Sequence, residues 1–371
     1  MLKIRKHLET LPAYSPIEPF EVLSQRLGLV PQKIIKMDAN ENPYGPSPKA
    51  RQALAELAWP HIYPDPESRA LRSALADFSG APAENLMCGS GADELIDLLL
   101  RVLIEQDDRV LNLPPTFGMY PFDTQLNAGQ LVEVPRREDF ALDMPGIFKA
   151  VEQQKPKVLF LTTPNNPDGS FPPPEQIEAL LDLDLLVVLD EAYIEFAEQG
   201  GRLGQRLTRI RQAAERENLV VLRTFSKWAG LAGLRIGYGA FPSWLMPTLW
   251  KAKQPYNVNV AASCAALASL ADADVLAATV ANLCAERQRL FAGLCRIPYL
   301  KVYPSQANFI LCKVEDSTSR GLTALAIKTR LATKGILVRY YHNPLLQDCF
   351  RASVGFPEYT DQLLAALEEF A

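Results

Sequence analysis

The stretch TFSKWAGLAGLRIGYG, residues 224–239, holds one lysine, Lys227, among small and apolar neighbours, with Arg235 eight residues further on. Burial and a fixed cation nearby both disfavour an ammonium ion, so a lysine in this setting tends towards the neutral amine, which is a nucleophile. A solvated surface lysine is the ordinary reading of any lysine taken singly. Three other segments place polar groups just past an apolar run. VVLDEAYIEF ends such a run with Asp190 and puts Tyr193 three residues on, where a carboxylate and a phenol can address one ligand. A carboxylate buried there requires a cation or a hydrogen-bond donor beside it. FLTTPNNPDGS carries Asn166 in a turn bracketed by prolines, and CGSGADELIDLLL is a Gly-rich turn opening a helix. The free N–H groups at such a helix start suit a phosphate, although a bare helix start explains the turn equally well. As a dinucleotide fingerprint the turn fails, because Gly89-x-Gly91 is followed by Glu94 where the third glycine belongs, and it lacks the lysine of a P-loop.

Groups that act together must be delivered by elements, and open parallel sheets collect ligands beyond the carboxyl ends of their strands. From about residue 85 to 240, RVLNL, QLVEV, KVLFLTT, DLLVVLDEAY and NLVVLRT read as strands alternating with helical patterns. Several are apolar throughout, which predicts an α/β domain whose mainly parallel sheet is covered on both faces. SPKARQALAELAW predicts a helix with Ser47 as N-cap, Pro48 in its first turn, and Ala50, Ala53, Leu54, Leu57 and Ala58 on one face. After about residue 260 the spacing predicts one long Ala-rich helix to Arg289 or beyond. Strands in FILCKV, ILVRYY and FRASVG and a closing helix in YTDQLLAALEEF then make a smaller α+β domain. MDANENPYGPSP reads as an ordered, turn-rich connection.

With 371 residues of which 48% are hydrophobic, the chain has material for a large core and for more than one domain. A net charge of -5 gives no basic surplus for nucleic acid. The opening residues MLKIRKHLETLPAYSP mix charge into each apolar run and show neither a secretory core nor a cleavage signature, so a cytoplasmic protein is expected. The longest apolar stretch, LIDLLLRVLI, is interrupted by Asp97 and Arg101 and falls short of the roughly 18 to 20 residues of a membrane span. Six cysteines without a CxxC pair, and three histidines without ligand spacing, predict reduced thiols and no metal.

Taken in order, the GAD turn, PTFGMY, PNNPDG, DEAY and SKxxxLAGLR resemble the fold type I pyridoxal-phosphate enzymes of the aspartate aminotransferase superfamily, over nearly the whole chain. Within them the chain is most similar to the histidinol-phosphate aminotransferase family. The resemblance implies a large cofactor-binding domain, residues 41–258, built on a mainly parallel seven-stranded sheet. It also implies a small domain, residues 259–371, joined by an N-terminal arm, residues 1–40. Pyridoxal 5'-phosphate is the implied cofactor. Lys227 would form its covalent imine and later carry a proton between substrate and cofactor. Asp190 would keep the pyridine nitrogen protonated, Asn166 and Tyr193 would hydrogen-bond the phenolic oxygen, and Phe117 would stack on the ring. The cofactor phosphate would lie among the N–H groups of Gly91, Ala92 and Asp93, the hydroxyls of Thr224 and Ser226, and Arg235. Two departures stand out: PDG replaces the family's commoner PTG, and Phe117 stands where many relatives have Tyr. Neither position is expected to need the lost group.

LPAYSPIEPF, ANENPYGPSP, HIYPDPES, GILVRYY and FRASVGFPE carry the closer similarity. It implies that Tyr14, Tyr63, Arg339 and Arg351 gather round a substrate phosphate, with Asn40 also at the substrate and Tyr63 supplied by the second subunit of a homodimer. Taken singly, Tyr14 and Tyr63 read equally as packed aromatics. Arg351 would also hold the carboxylate of an amino acid or of 2-oxoglutarate. The implied activity is transamination between histidinol phosphate, a phosphate monoester donor, and 2-oxoglutarate, giving imidazole acetol phosphate and glutamate in histidine biosynthesis. Threonine-phosphate decarboxylases and aromatic aminotransferases share many of these motifs and remain alternatives. A ligand-sensing regulator on the same fold would need a basic domain of about 60 residues ahead of it. Here the fold is expected to begin almost at once.

Overall fold

The computed structural model describes residues 2–12, 18–198, 203–315 and 322–370. The chain starts with α1 (Phe20–Leu27), β1 (Ile35–Met37), α2 (Pro48–Ala55) and α3 (Arg69–Ser79). An alternating stretch follows: β2 (Leu86–Gly89), α4 (Ala92–Leu103), β3 (Arg109–Asn112), α5 (Met119–Leu126), β4 (Gln130–Glu133) and α6 (Met144–Gln154). It continues through β5 (Val158–Thr162), α7 (Pro174–Leu181), β6 (Leu186–Asp190), a short α8 (Ile194–Ala197), β7 (Leu219–Thr224) and β8 (Gly237–Ala240). The last third holds α9 (Met246–Ala252), α10 (Val260–Ala271), α11 (Ala273–Leu294), β9 (Leu300–Val302) and β10 (Phe309–Val314). It ends with α12 (Ala324–Thr333), β11 (Ile336–Tyr340), β12 (Cys349–Ser353) and α13 (Pro357–Glu368).

Two sheets organise these elements. The larger has seven strands in the order β2-β8-β7-β6-β5-β3-β4. Its strands run parallel except β8, which is antiparallel to both β2 and β7. Because both faces are covered, alternate residues of one strand enter two different cores. Leu159 and Leu161 of β5 pack with Val187, Leu189 and Val221, whereas Val158 and Phe160 pack with Val188, Val220 and Leu222. That two-sided burial explains why these strands read as unbroken apolar runs. The register sets Thr162 beside Asp190, and Asp190 beside Leu222, so β5 and β6 end level while β7 runs two residues further to Thr224.

The smaller sheet has the order β1-β11-β12-β10-β9. The early strand β1 pairs parallel with β11, and the remaining pairs are antiparallel. Arg339 of β11 lies directly across from Arg351 of β12.

Two helix expectations need correction. Ser47 does cap α2, accepting the amide of Ala50, but the helix ends at Ala55. Only Ala50 of that helix is fully buried; Ala53 and Leu54 are half-buried, with Leu54 packed on the core, and Leu57 and Ala58 of the expected stripe fall beyond the helix end. The Ala-rich stretch is two helices, α10 and α11, bent by 83°. Asp272 sits at the break and accepts the backbone amide of Lys49 at 2.9 Å, a tertiary contact that composition does not announce. No single described helix is long and apolar enough to cross a membrane.

One buried charge pair ties β7 to the segment after β6. Arg223 donates to Glu195 at 2.7 Å with both side chains wholly buried, and to the carbonyl of Leu203 at 2.9 Å. Truncating one partner strands the other charge in the core, which costs about 3–5 kcal/mol. Glu195→Ala is therefore expected to lower the denaturant midpoint by a corresponding amount, whereas a surface pair such as Arg69–Asp65, with its arginine 63% exposed, gives a change under about 1 kcal/mol on the same truncation. Equal unfolding curves for the two variants would contradict the assignment.

Candidate active site

The ends of β5, β6 and β7 and the start of α4 open onto one cleft. It is lined by Ala92, Asp93, Phe117, Asn166, Asp190, Tyr193, Thr224, Ser226, Lys227 and Arg235, with Thr162, Ala192 and Ala232. Residues scattered over some 140 positions of sequence thus meet in one place, and all but Gly91 of the expected cofactor-binding set line it directly. Gly91 is the N-cap of α4, with φ +81° and no side chain to cap the helix, so the first N–H groups of α4 are left for a ligand. A Cβ at Gly91 would run into the Arg235 guanidinium, which accounts for glycine there.

Arg235 donates to Asp93 at 2.7 Å across the mouth of this cup. Thr224 Oγ1 donates to Ser226 Oγ at 2.9 Å and accepts the Ser226 amide at 3.1 Å, placing two hydroxyls side by side. Backbone N–H groups, two hydroxyls and a guanidinium form a donor set matched to a phosphate.

Asp190 ends β6 and is 4% exposed. Its Oδ2 accepts Tyr120 Oη at 2.6 Å and its Oδ1 accepts the Ala192 amide at 3.1 Å. Burial pushes its pKa up to about 6, against the opposing pull of the Tyr120 hydrogen bond. Lys227 Nζ donates to the carbonyl of Ala39 at 3.2 Å. Burial first, then the Arg351 charge, lower its pKa to about 8. The amine is therefore partly neutral near physiological pH, the state that nucleophilic chemistry requires.

Tyr193 is buried, accepts Asn40 Nδ2 at 3.0 Å, and has its pKa raised to about 12, chiefly by burial. Asn40 itself is 1% exposed, is not among the residues lining the cleft, and exchanges two hydrogen bonds with the Ser353 hydroxyl. Its side chain holds the Tyr193 phenol. Arg351 reaches the cleft through Asn166, donating to its Oδ1 at 2.5 Å, and donates to the carbonyl of Asp38 at 2.8 Å. Arg339 stands across the strand pair from it. Tyr63 is 79% exposed and stacks on Tyr256 at 4.6 Å, away from the cleft of its own chain. Tyr14 lies outside the described residues.

Sequence reasoning missed the residues behind the cleft. Asp168, standing where the commoner motif has Thr, is 1% exposed and accepts Asn165 Nδ2 at 2.5 Å and the Ser170 amide at 2.8 Å. It braces the turn that carries Asn166, so the PDG departure has a structural part. Tyr120, inside the quoted PTFGMY, went unassigned; its type and position in a helix match an ordinary core tyrosine.

Comparison with known proteins agrees with this geometry. The family described as aminotransferase class I and II matches residues 32–367. The chloroplastic histidinol-phosphate aminotransferase of Nicotiana tabacum is 50% identical over 99% of this chain and 86% of its own. The histidinol-phosphate aminotransferase of Roseiflexus castenholzii is 50% identical over 99% of this chain and 98% of its own. Among solved structures, histidinol-phosphate aminotransferase from Sinorhizobium meliloti in complex with pyridoxal-5'-phosphate superposes with a TM-score of 0.88 at 30% identity, covering 100% of this chain and 98% of that one.

The lowered pKa of Lys227 is directly measurable in protein free of cofactor. An ordinary lysine titrates near 10.5, so at pH 8 its neutral fraction is roughly a hundredfold smaller than that of a group with a pKa of about 8. Acylation of Lys227, followed by peptide mapping across pH, is expected to be half-maximal near pH 8, and Arg351→Leu is expected to move that midpoint upward. A midpoint near 10.5 in the unaltered protein would refute the assignment.

Proposed function

The chain belongs to the class I and II aminotransferase family, and on that premise we propose that it moves the amino group of histidinol phosphate to 2-oxoglutarate with pyridoxal 5'-phosphate as cofactor. Imidazole acetol phosphate and glutamate are the products, and histidine biosynthesis is the pathway served. The observation that carries this reading is the convergence of Lys227, Asp190, Asn166, Tyr193 and the phosphate-type cup on one cleft. The names of the relatives, and the cofactor bound by the S. meliloti enzyme, support the donor and the cofactor.

The residues present fit that cofactor. Side-chain-free Gly91 leaves its phosphate cup open beside Arg235, Lys227 has a lowered pKa, and Asp190 is a buried carboxylate facing the same cleft. When bound, pyridoxal phosphate supplies a conjugated ring that takes up the electron pair left by the substrate Cα–H bond. Asp190 would hold a proton at the ring nitrogen through charge. Asn166 and Tyr193 would hold the phenolic oxygen, and Phe117 would cover a face of the ring. Lys227 Nζ would be the covalent anchor and, when free, the base placed to take the proton from the donor Cα and return it. Arg351 and Arg339, adjacent across β11 and β12, supply positive charge for the anionic end of either substrate. The thiols favour a reducing compartment, with all six cysteines unpaired, and we place the reaction in the cytoplasm.

Tyr63 supports a homodimer. Its segment exposes Trp59 at 66% and Ile62 at 54% as well, an apolar patch of the kind that a partner subunit covers. Mixing inactive Lys227→Ala with inactive Tyr63→Ala subunits is expected to restore roughly a quarter of wild-type activity, because half of randomly formed dimers carry one intact site. No recovery, or sedimentation as a monomer, would sink the shared site.

Donor choice is the more demanding test. Buried charged donors left without their anion lose on the order of 10⁴ in specificity. Histidinol phosphate is expected to exceed histidinol by about that factor in kcat/KM, with phenylalanine poor and no carbon dioxide released from threonine phosphate. Comparable turnover of phenylalanine would instead favour an aromatic aminotransferase.

A further inference from the structure

Tyr120 of α5 is wholly buried behind the cleft and is not one of the residues lining it. Its ring stacks on Phe160 at 4.6 Å and 7° and meets Phe117 edge-on at 5.6 Å, so the phenol is held in one direction. Its Oη lies 2.6 Å from Asp190 Oδ2 and 2.7 Å from Thr162 Oγ1. Thr162 Oγ1 is 3.1 Å from Thr116 Oγ1, which donates to Asn165 Oδ1 at 2.9 Å. Asn165 Nδ2 donates in turn to Asp168 Oδ1 and to the carbonyl of Pro115. A chain of close polar contacts thus runs from Asp190 to the turn that holds Asn166.

We propose that Tyr120 is a positioning residue for transamination, holding the Asp190 carboxylate ionised and aimed at the ring nitrogen of the cofactor through this chain. The inference rests on the pyridoxal-phosphate reading above. The contacts made by the phenol itself support it. Tyr120 Oη is placed to donate to Asp190 Oδ2 while accepting from Thr162 Oγ1, the arrangement that an ionised carboxylate needs. Thr116 donates to Asn165 Oδ1, so with Asp190 ionised the Thr116–Thr162 contact holds no proton and the donor chain behind Tyr120 ends at Thr162.

An Asp190 protonated on Oδ2 would donate to Tyr120, and the two hydroxyl protons of Tyr120 and Thr162 would then turn one step towards Thr116. The groups facing Asp190 from neighbouring elements are Tyr120 of α5, Asp93 of α4, Lys227 after β7 and Tyr193 after β6. Asp93 and burial favour the neutral acid, whereas Lys227 and the Tyr120 hydrogen bond favour the anion. Tyr120 supplies the one side-chain hydrogen bond to Asp190 among the described residues.

Tyr120→Phe keeps the ring stack and removes only the hydroxyl. A hydrogen bond to a buried charge is worth about 1.5–3 kcal/mol, so the dissociation constant of pyridoxal phosphate, read by reconstitution of the cofactor-free protein, is expected to rise at least about tenfold. The pH midpoint of the visible absorption band of the holoenzyme should shift by about one unit, in the direction that Asp190→Asn shifts it. Thr162→Val, which withdraws the donor to Tyr120 but leaves the phenol in place, should shift it the same way by less. Wild-type cofactor affinity and an unmoved midpoint in Tyr120→Phe would overturn the inference. So would a fall in thermal stability with the midpoint unmoved, since that marks a merely structural tyrosine. If wild type and Asp190→Asn behave as described while Tyr120→Phe matches wild type, this inference alone falls. If wild-type protein takes up no pyridoxal phosphate, the functional reading falls and takes the inference with it.

Discussion

A carboxylate buried at the end of the central strand is the constraint around which the large sheet is arranged. Asp190 is 4% exposed, and an ion so placed is tolerated only where donors meet it in fixed geometry. One donor is local, the amide of Ala192; the other is a phenol on α5, 70 positions earlier, brought to β6 at the fourth of seven strands. Thr162 ends level with it and β7 runs two residues further to Thr224, so Thr162, Asp190 and Thr224 all reach the cleft. Behind these strand ends, Arg223 and Glu195 clamp the residues just before Thr224 to the segment just after Asp190. The two turns that carry Tyr193 and Lys227 are thereby fixed relative to each other by charge as well as by packing.

What was legible in the sequence follows from burial. Strands β3 and β5 to β7 are covered on both faces, and an unbroken apolar run such as VLFLT admits few other readings. The strands β2, β8, β1 and β9 carry no such mark. GYGA of β8 is half glycine, and it is a strand because β2 and β7 pair with it on either side. The long Ala-rich stretch hid its own bend, since the break at Asp272 is set by a contact with Lys49, more than two hundred positions away. The site divides in the same manner. Lys227, Asp190 and Arg235 stand in short motifs whose residue types already limit the chemistry. Tyr120, Asn165 and Asp168 act through partners that no spacing rule connects, and Arg223 sits inside an apolar run that gives no hint of a buried ion pair.

The connection at residues 38–42, read as an ordered turn-rich link, joins the two sheets. Asn40 adopts φ +57° and holds the Tyr193 phenol while its backbone is bound by Ser353 of β12 and by the side chain of Asn308. Arg351 of the same small sheet grips the carbonyl of Asp38 and the side chain of Asn166. Any rotation of the small sheet against the large one must therefore disturb the groups assigned to the phenolic oxygen and to the substrate anion together. Such coupling would let an anion bound at Arg351 be felt at Asn166 with no further element between them.

The parallel pairing of β1 with β11 has a consequence for how the protein is made. Ile35 lies beside Ile336, partners about three hundred residues apart. A ribosome emits the N-terminal strand first and its neighbour near the end, so β1 waits through most of translation with an unpaired edge. The large sheet, whose strands all come from the middle of the chain, is free to condense in the meantime. Pairing of β1 with β11, and so completion of the sheet that carries Arg339 and Arg351, must await the last residues of the chain, which makes that sheet a signature of a finished chain.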